Sequence, residues 1–154
     1  MTTRAADTFP SVAARDTVDP TDGVTALTIL VVDDDPDMRY LARVVLEGAD
    51  MEVAGEAADG IEALSKFREL DPPPVPTVIL LDNQMPGPSG LEVARQILAA
   101  SPGQLIVLFS AFLDAEIIAE ATRIGVAACV SKADALNLGP ILRSVVAERG
   151  HRAR

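Results

Sequence analysis

The sequence predicts an α/β fold, a doubly wound parallel sheet of five strands with helices on both faces. Three observations carry this. Short apolar runs alternate strictly with helical patterns from residue 27 to residue 150. Three of the runs, at 27–32, 77–81 and 105–109, are almost continuously apolar, as strands covered on both faces must be. Four of the runs stop on residues with reactive side chains: Asp33-Asp34-Asp35, Asp82, Ser110 and Ser131-Lys132. In such a sheet reactive groups collect beyond the carboxyl ends of the strands, beside the point where strand order reverses.

In chain order, residues 1–26 are rich in Thr, Ala, Asp and Pro with no sustained period, which predicts a disordered extension. The folded domain is expected at 27–150, with 151–154 as a tail. Residues 27–32 read as the first strand and 36–48 as a helix with Met38, Leu41, Val44 and Val45 on its inner face. Asp35 before Pro36 has the pattern of a helix cap followed by its first-turn proline. Residues 51–57 mix polar and apolar side chains, as a half-exposed edge strand does. The helix expected at 59–70 turns Ile61, Ala63, Leu64 and Phe67 inward. It is stopped by Asp71-Pro72-Pro73-Pro74-Val75-Pro76, a stiff connector, because proline has no amide donor and pushes its predecessor out of the helical region.

The strand at 77–81 ends abruptly in Asp82, and Pro86, Gly87, Pro88 and Gly90 make the next segment a loop, so the carboxylate is delivered to the sheet edge. A helix at 89–100 buries Leu91, Ala94, Ile97 and Leu98. After the strand at 105–109, the helix at 113–124 carries Ile117, Ala121 and Ile124 on one stripe and closes at Gly125. Residues 127–131 form the last strand. Pro140, suited to a first helical turn, opens the final helix, which carries Ile141, Leu142, Val145 and Val146 and ends near Gly150.

At 154 residues and 49% hydrophobic, the chain has one domain with a substantial core. Its 13 basic and 23 acidic residues give a net charge of −10, which repels nucleic acid and anionic membrane surfaces, so neither is expected as a partner. Cys129 is the only cysteine and has no partner for an internal disulfide. With no pattern of a signal peptide or spanning helix, the expected location is the cytoplasm.

The clustering of acids at the strand ends has a physical consequence. Two carboxylates about 5 Å apart repel by roughly 3 kcal/mol at an effective dielectric near 20, so the cluster implies a cation. Hard oxygen ligands, few of them from protein, suit Mg²⁺, which keeps several waters and shares its sphere readily with phosphate. Asp82 beside such an ion, with Lys132 offsetting charge on the transferring oxygens, could attack a phosphoryl group and form an acyl phosphate.

The segments ILVVDDDPDMR, VILLDNQMPGPSG, VLFSAF and CVSKAD, in this order and at these separations, resemble the receiver domain of two-component response regulators. The resemblance covers about 28–150. It implies the flavodoxin-like strand order 2-1-3-4-5, Asp82 as phosphate acceptor, and Mg²⁺, or Mn²⁺ in its place, as cofactor. Asp34 would be the direct metal ligand, Asp33 an acidic partner acting through water, and the backbone carbonyl of Gln84 a third protein ligand. Ser110 would be the switch hydroxyl and Lys132 the lysine that pairs with the phosphoryl group, while Gln84 and Phe112 would tune its lifetime. The position usually held by a switch aromatic is Cys129, and Lys132 is followed by Ala133 where receivers often have proline.

The lone His151 is not placed to be a phosphodonor, so a sensor histidine kinase or a histidine phosphotransfer protein is the expected source. The expected output is a protein target bound through the face spanning 113–147, Ile118 included, as in a stand-alone regulator that is not otherwise an enzyme. Two alternatives use the same residues. One is a receiver-like interaction module that works without phosphorylation. The other is a haloacid-dehalogenase-like phosphatase with Asp33 as nucleophile, for which Asp134 is the one acid close after the lysine where an acidic pair is needed.

Overall fold

The computed structural model describes residues 27–70 and 77–152, so the extension expected at 1–26 and the connector at 71–76 lie outside the described residues. Five strands, β1 (Thr28–Val32), β2 (Glu52–Ala57), β3 (Thr77–Leu81), β4 (Leu105–Ser110) and β5 (Ala128–Ser131), form one sheet in the order β2-β1-β3-β4-β5. Every pairing is parallel. The helices between them are α1 (Pro36–Gly48), α2 (Gly60–Glu69), α3 (Gly90–Ala100), α4 (Ala115–Ile124) and α5 (Leu138–Arg152). The expected fold class and strand order are those found.

Successive side chains on a strand point to opposite faces, which divides the core in two. Ile29, Val31, Val78, Leu80, Val107 and Phe109 pack with Ala42 and Leu46 of α1 and Leu138 and Leu142 of α5. Leu30, Val32, Ile79, Leu81, Ile106 and Leu108 pack with Ala63 of α2, Val93 and Ala94 of α3, and Ala121 of α4. All of β1, β3 and β4 is buried, whereas β2 at the edge is mostly half-exposed.

Register then sets the strand ends side by side. Val32 of β1 pairs with Leu81 of β3, and Leu81 with Leu108 of β4. The ladder continues one step past β1 and β3: the Asp33 amide donates to Ala57 O at 3.0 Å, and the Asp82 amide to Val32 O at 2.9 Å.

Several expectations need correction. Val44 and Ile61 do not face inward but are 49% and 70% exposed; Ala42, not expected there, is buried in α1, and Ala63 is buried in α2 as expected. Helix α4 begins at Ala115, two residues later than expected, because the Asp114 side chain accepts from the Ile117 amide and so caps it there. Lys132–Asn137 forms a 3₁₀ helix that leads directly into α5, which therefore starts at Leu138 before Pro140. That proline sits in the first turn, where its missing N–H has no helical partner to lose. At the other end α5 runs on to Arg152, into what reads from sequence as the tail.

Candidate functional site

Asp33 and Asp82 reach the carboxyl edge of the sheet because the ladder carries them there, and both are buried, at 2% and 3% exposure. Asp34 lies in the exposed turn after β1. Oxygens of Asp33, Asp34 and Asp82 all fall within 4.8 Å of one another. Asp35 stands apart, accepting from the Asp37 amide at 2.9 Å as the cap of α1.

The same turn holds Asp33 from several directions. Its Oδ1 accepts from the Asp35 amide at 2.9 Å, and its carbonyl accepts from Arg39 Nη1 at 2.6 Å. Its Oδ2 is buried, lies 2.7 Å from Lys132 Nζ, and accepts no well-aligned hydrogen bond from the described residues. Lys132 emerges where β5 gives way to the 3₁₀ helix, capped by Ser131 Oγ accepting from the Ala133 amide at 3.0 Å. From there its ammonium also reaches Asp82 Oδ2 at 3.4 Å.

The loop carrying Asp82 is fixed against the start of α3. Asn83 accepts from the Gly90 amide with its carbonyl, at 2.9 Å, and from the Leu91 amide with its side chain, at 3.0 Å. The approach is close enough that a Cβ on Gly90 would overlap the Asp82 carbonyl and come within 2.8 Å of Asn83 Cα, so no larger residue fits. A capping box, Ser89 with Glu92, closes the same helix end. The Gln84 amide lies 3.4 Å from Asp82 Oδ1, with the Gln84 side chain exposed.

Ser110 is fully buried at the end of β4, and its hydroxyl is occupied locally. It donates to Phe112 O at 3.1 Å and accepts from the Phe112 amide at 3.3 Å. The Phe112 ring is 52% exposed. Cys129, beside Leu108 across the β4–β5 ladder, packs into the layer shared with α2, α3 and α4, and burial pushes its thiol pKa up.

Electrostatics follow from this packing. The Asp82 pKa is pushed up to about 6, first by burial and then by the Asp33 charge, against the opposing pull of Lys132 and the Gln84 amide. Burial alone would lower Lys132, but the carboxylates of Asp33 and Asp82 outweigh it and raise its pKa. A divalent cation fits this donor set: three hard carboxylates converge, the single positive charge of Lys132 beside Asp33 and Asp82 leaves their summed negative charge uncompensated, and burial together with the Asp33 charge raises the Asp82 pKa. Sequence pattern alone does not single out Asn83 or Arg39. The arginine four residues after a capping Asp is a common helix residue, and only the fold shows what its guanidinium touches.

Topology and site together define a flavodoxin-like α/β protein with a carboxylate and lysine centre at the strand ends. The chain belongs to the response regulator receiver domain family, whose model matches residues 29–138. The chemotaxis protein CheY of Listeria monocytogenes is 33% identical over 99 residues, which span 64% of this chain and 80% of that protein. The DNA-binding response regulator MtrA of Mycolicibacterium smegmatis is 43% identical over 88 residues, 56% of this chain and 35% of MtrA. Among solved structures, the response regulator domain of Thermotoga maritima CheB superposes with a TM-score of 0.70 at 28% identity, covering 82% of this chain and 98% of that one. Membership of this family leaves the haloacid-dehalogenase-like alternative without support. No helix among the described residues is long and apolar enough to cross a membrane.

Proposed function

We propose that Asp82 accepts a phosphoryl group from the phosphohistidine of a sensor histidine kinase or phosphotransfer protein, and that a protein target reads the resulting change of surface. The convergence of Asp33, Asp34 and Asp82, with Lys132 Nζ in contact with Asp33 and Asp82, is the observation that supports it. Mg²⁺ held by Asp33, Asp34, Asp82 and the Gln84 carbonyl would neutralise charge on the phosphoryl oxygens. An Asp82 carboxylate oxygen attacks phosphorus, the donor's N–P bond breaks, and the imidazole leaves with the bonding pair to take up a proton. Lys132 faces the phosphoryl oxygens and stabilises their charge. On this reading the receiver domain catalyses its own phosphorylation and dephosphorylation.

For the response, Ser110 gives up its hydrogen bonds to the Phe112 backbone and turns to the phosphoryl group, a population shift between two arrangements of the β4–α4 loop. The aromatic side chain that usually moves with this hydroxyl is absent at Cys129, so loop rearrangement carries the change. Exposed Phe112, Ile118 and Leu136 lie on the 113–147 face or at its edge and suit protein contact. Acetyl phosphate with Mg²⁺ tests the acceptor. Wild type should gain one phosphoryl group on Asp82 by mass spectrometry and Asp82→Ala none, whereas label on Asp33 or undiminished label in the variant would overturn the assignment.

A further inference from the structure

Arg39 lies outside the acidic cluster yet touches it. From the first turn of α1 its Nη1 donates to the Asp33 carbonyl at 2.6 Å, while its Nε pairs with Glu56 Oε1 of β2 at 3.2 Å. Glu56 is itself anchored, its Oε2 accepting from Arg43 Nε at 2.8 Å. The guanidinium therefore spans a fixed point on the edge strand and the backbone of the residue that ends β1. Only a planar fork with several donors makes both contacts at once. Arg39 is partly buried, so these bonds are sheltered from competing water.

The consequence falls on Asp33. Its amide is tied to β2 through Ala57 O and its carbonyl to α1 through Arg39, so the peptide planes on both sides are held. That leaves the side chain aimed at the cluster, with Oδ1 on the Asp35 amide and Oδ2 toward Lys132. We infer that Arg39 is a positioning residue that preorganises Asp33 for divalent-cation binding, acting through the Asp33 carbonyl and anchored by Glu56. This rests on the reading of Asp33, Asp34 and Asp82 as a cation site. Groups that orient a metal's ligands have large effects on affinity without touching the ion, about tenfold or more when removed.

The test is calorimetric titration of the full chain with MgCl₂ alone, run beside urea melts in EDTA. Arg39→Ala is expected to weaken Mg²⁺ binding by about tenfold or more, and Arg39→Lys, which restores one donor, to recover part of that loss. A structural role alone would lower the urea midpoint in EDTA and leave the affinity of the folded protein unchanged. Equal Mg²⁺ affinity in wild type and folded Arg39→Ala overturns the inference. Should Arg39→Ala not fold, Arg39→Lys decides it: weakened Mg²⁺ binding with a native urea midpoint supports the inference, and wild-type affinity with unaltered binding enthalpy overturns it. Failure of wild type itself to bind Mg²⁺ overturns the cation site, a result distinct from loss in the variant.

Discussion

Asp82 is ordinarily costly to bury, and its raised pKa makes that cost measurable. The folded value of about 6 lies above the ordinary 3.8, so between the two the native state holds a proton that the unfolded chain has released. Stability of the metal-free protein must therefore fall as pH rises through that interval, with the full loss present above it. The shift corresponds to roughly 3 kcal/mol at about pH 7. In EDTA, Asp82→Asn should be more stable than wild type by up to that amount at about pH 7, and the two should converge near pH 4 in urea melts. A difference that does not change with pH would count against the environment described for this carboxylate. Phe112 supports a second prediction at this scale. Its backbone is held by Ser110 and its side chain is half-exposed beside the strand end, so Phe112→Ala should ease the approach of water and shorten the phosphoryl lifetime. Decay of the acyl phosphate after donor removal measures it, and an unchanged rate removes the idea.

Among the elements, α3 is the most constrained at its start, where Gly90 lets the helix backbone press against the Asp82 loop. Gly90→Ala should cost about 1–3 kcal/mol, the range for an overpacked site, and should slow phosphorylation because the displaced neighbour is the acceptor's own peptide. Urea melts together with acetyl phosphate kinetics test both parts. The cap of α1 was legible from chain pattern, since Asp35 precedes Pro36 and a periodic run, whereas Asp59, Ser89 and Asp114, which pattern places within their helices, are caps as well, each side chain accepting from an amide in the first turn. The inner faces were legible only in part. Each of these helices buries one alanine in the core, Ala42, Ala63, Ala94 and Ala121. Ranking side chains by hydrophobicity favours Val44 and Ile61 over Ala42, and so rotates the expected face toward solvent. The 3₁₀ segment at Lys132–Asn137 was missed because it is too short for a period, although its Ala135 packs in the same layer as Leu138 and Leu142 of α5.

For the whole molecule, the site is assembled from β1, β3, β5 and the turns after them, so its occupancy must report on global stability. Mg²⁺ at 100 times its Kd should add about 2.7 kcal/mol to the stability of wild type, and clearly less to Asp82→Ala. Urea midpoints with Mg²⁺ and with EDTA check this, and identical shifts in both proteins would mean that the ion binds elsewhere. The gathering of Asp33, Asp82, Ser110 and Lys132 at one edge was legible because alternation of runs and periods dictates a parallel sheet, whereas the order of its strands followed only from the family resemblance. Tertiary contacts made by Arg39 and Asn83 were not legible, since neither follows from local pattern. The matched pairing of Val32 with Leu81 and of Leu81 with Leu108 also sets where chain length can drift. One residue inserted within β1 or β3 would turn every later side chain of that strand to the other layer and send an aliphatic group to the place of an acid. Turns at the far edge, such as 101–104, bear no such count and can grow or shrink while the reactive end stays intact.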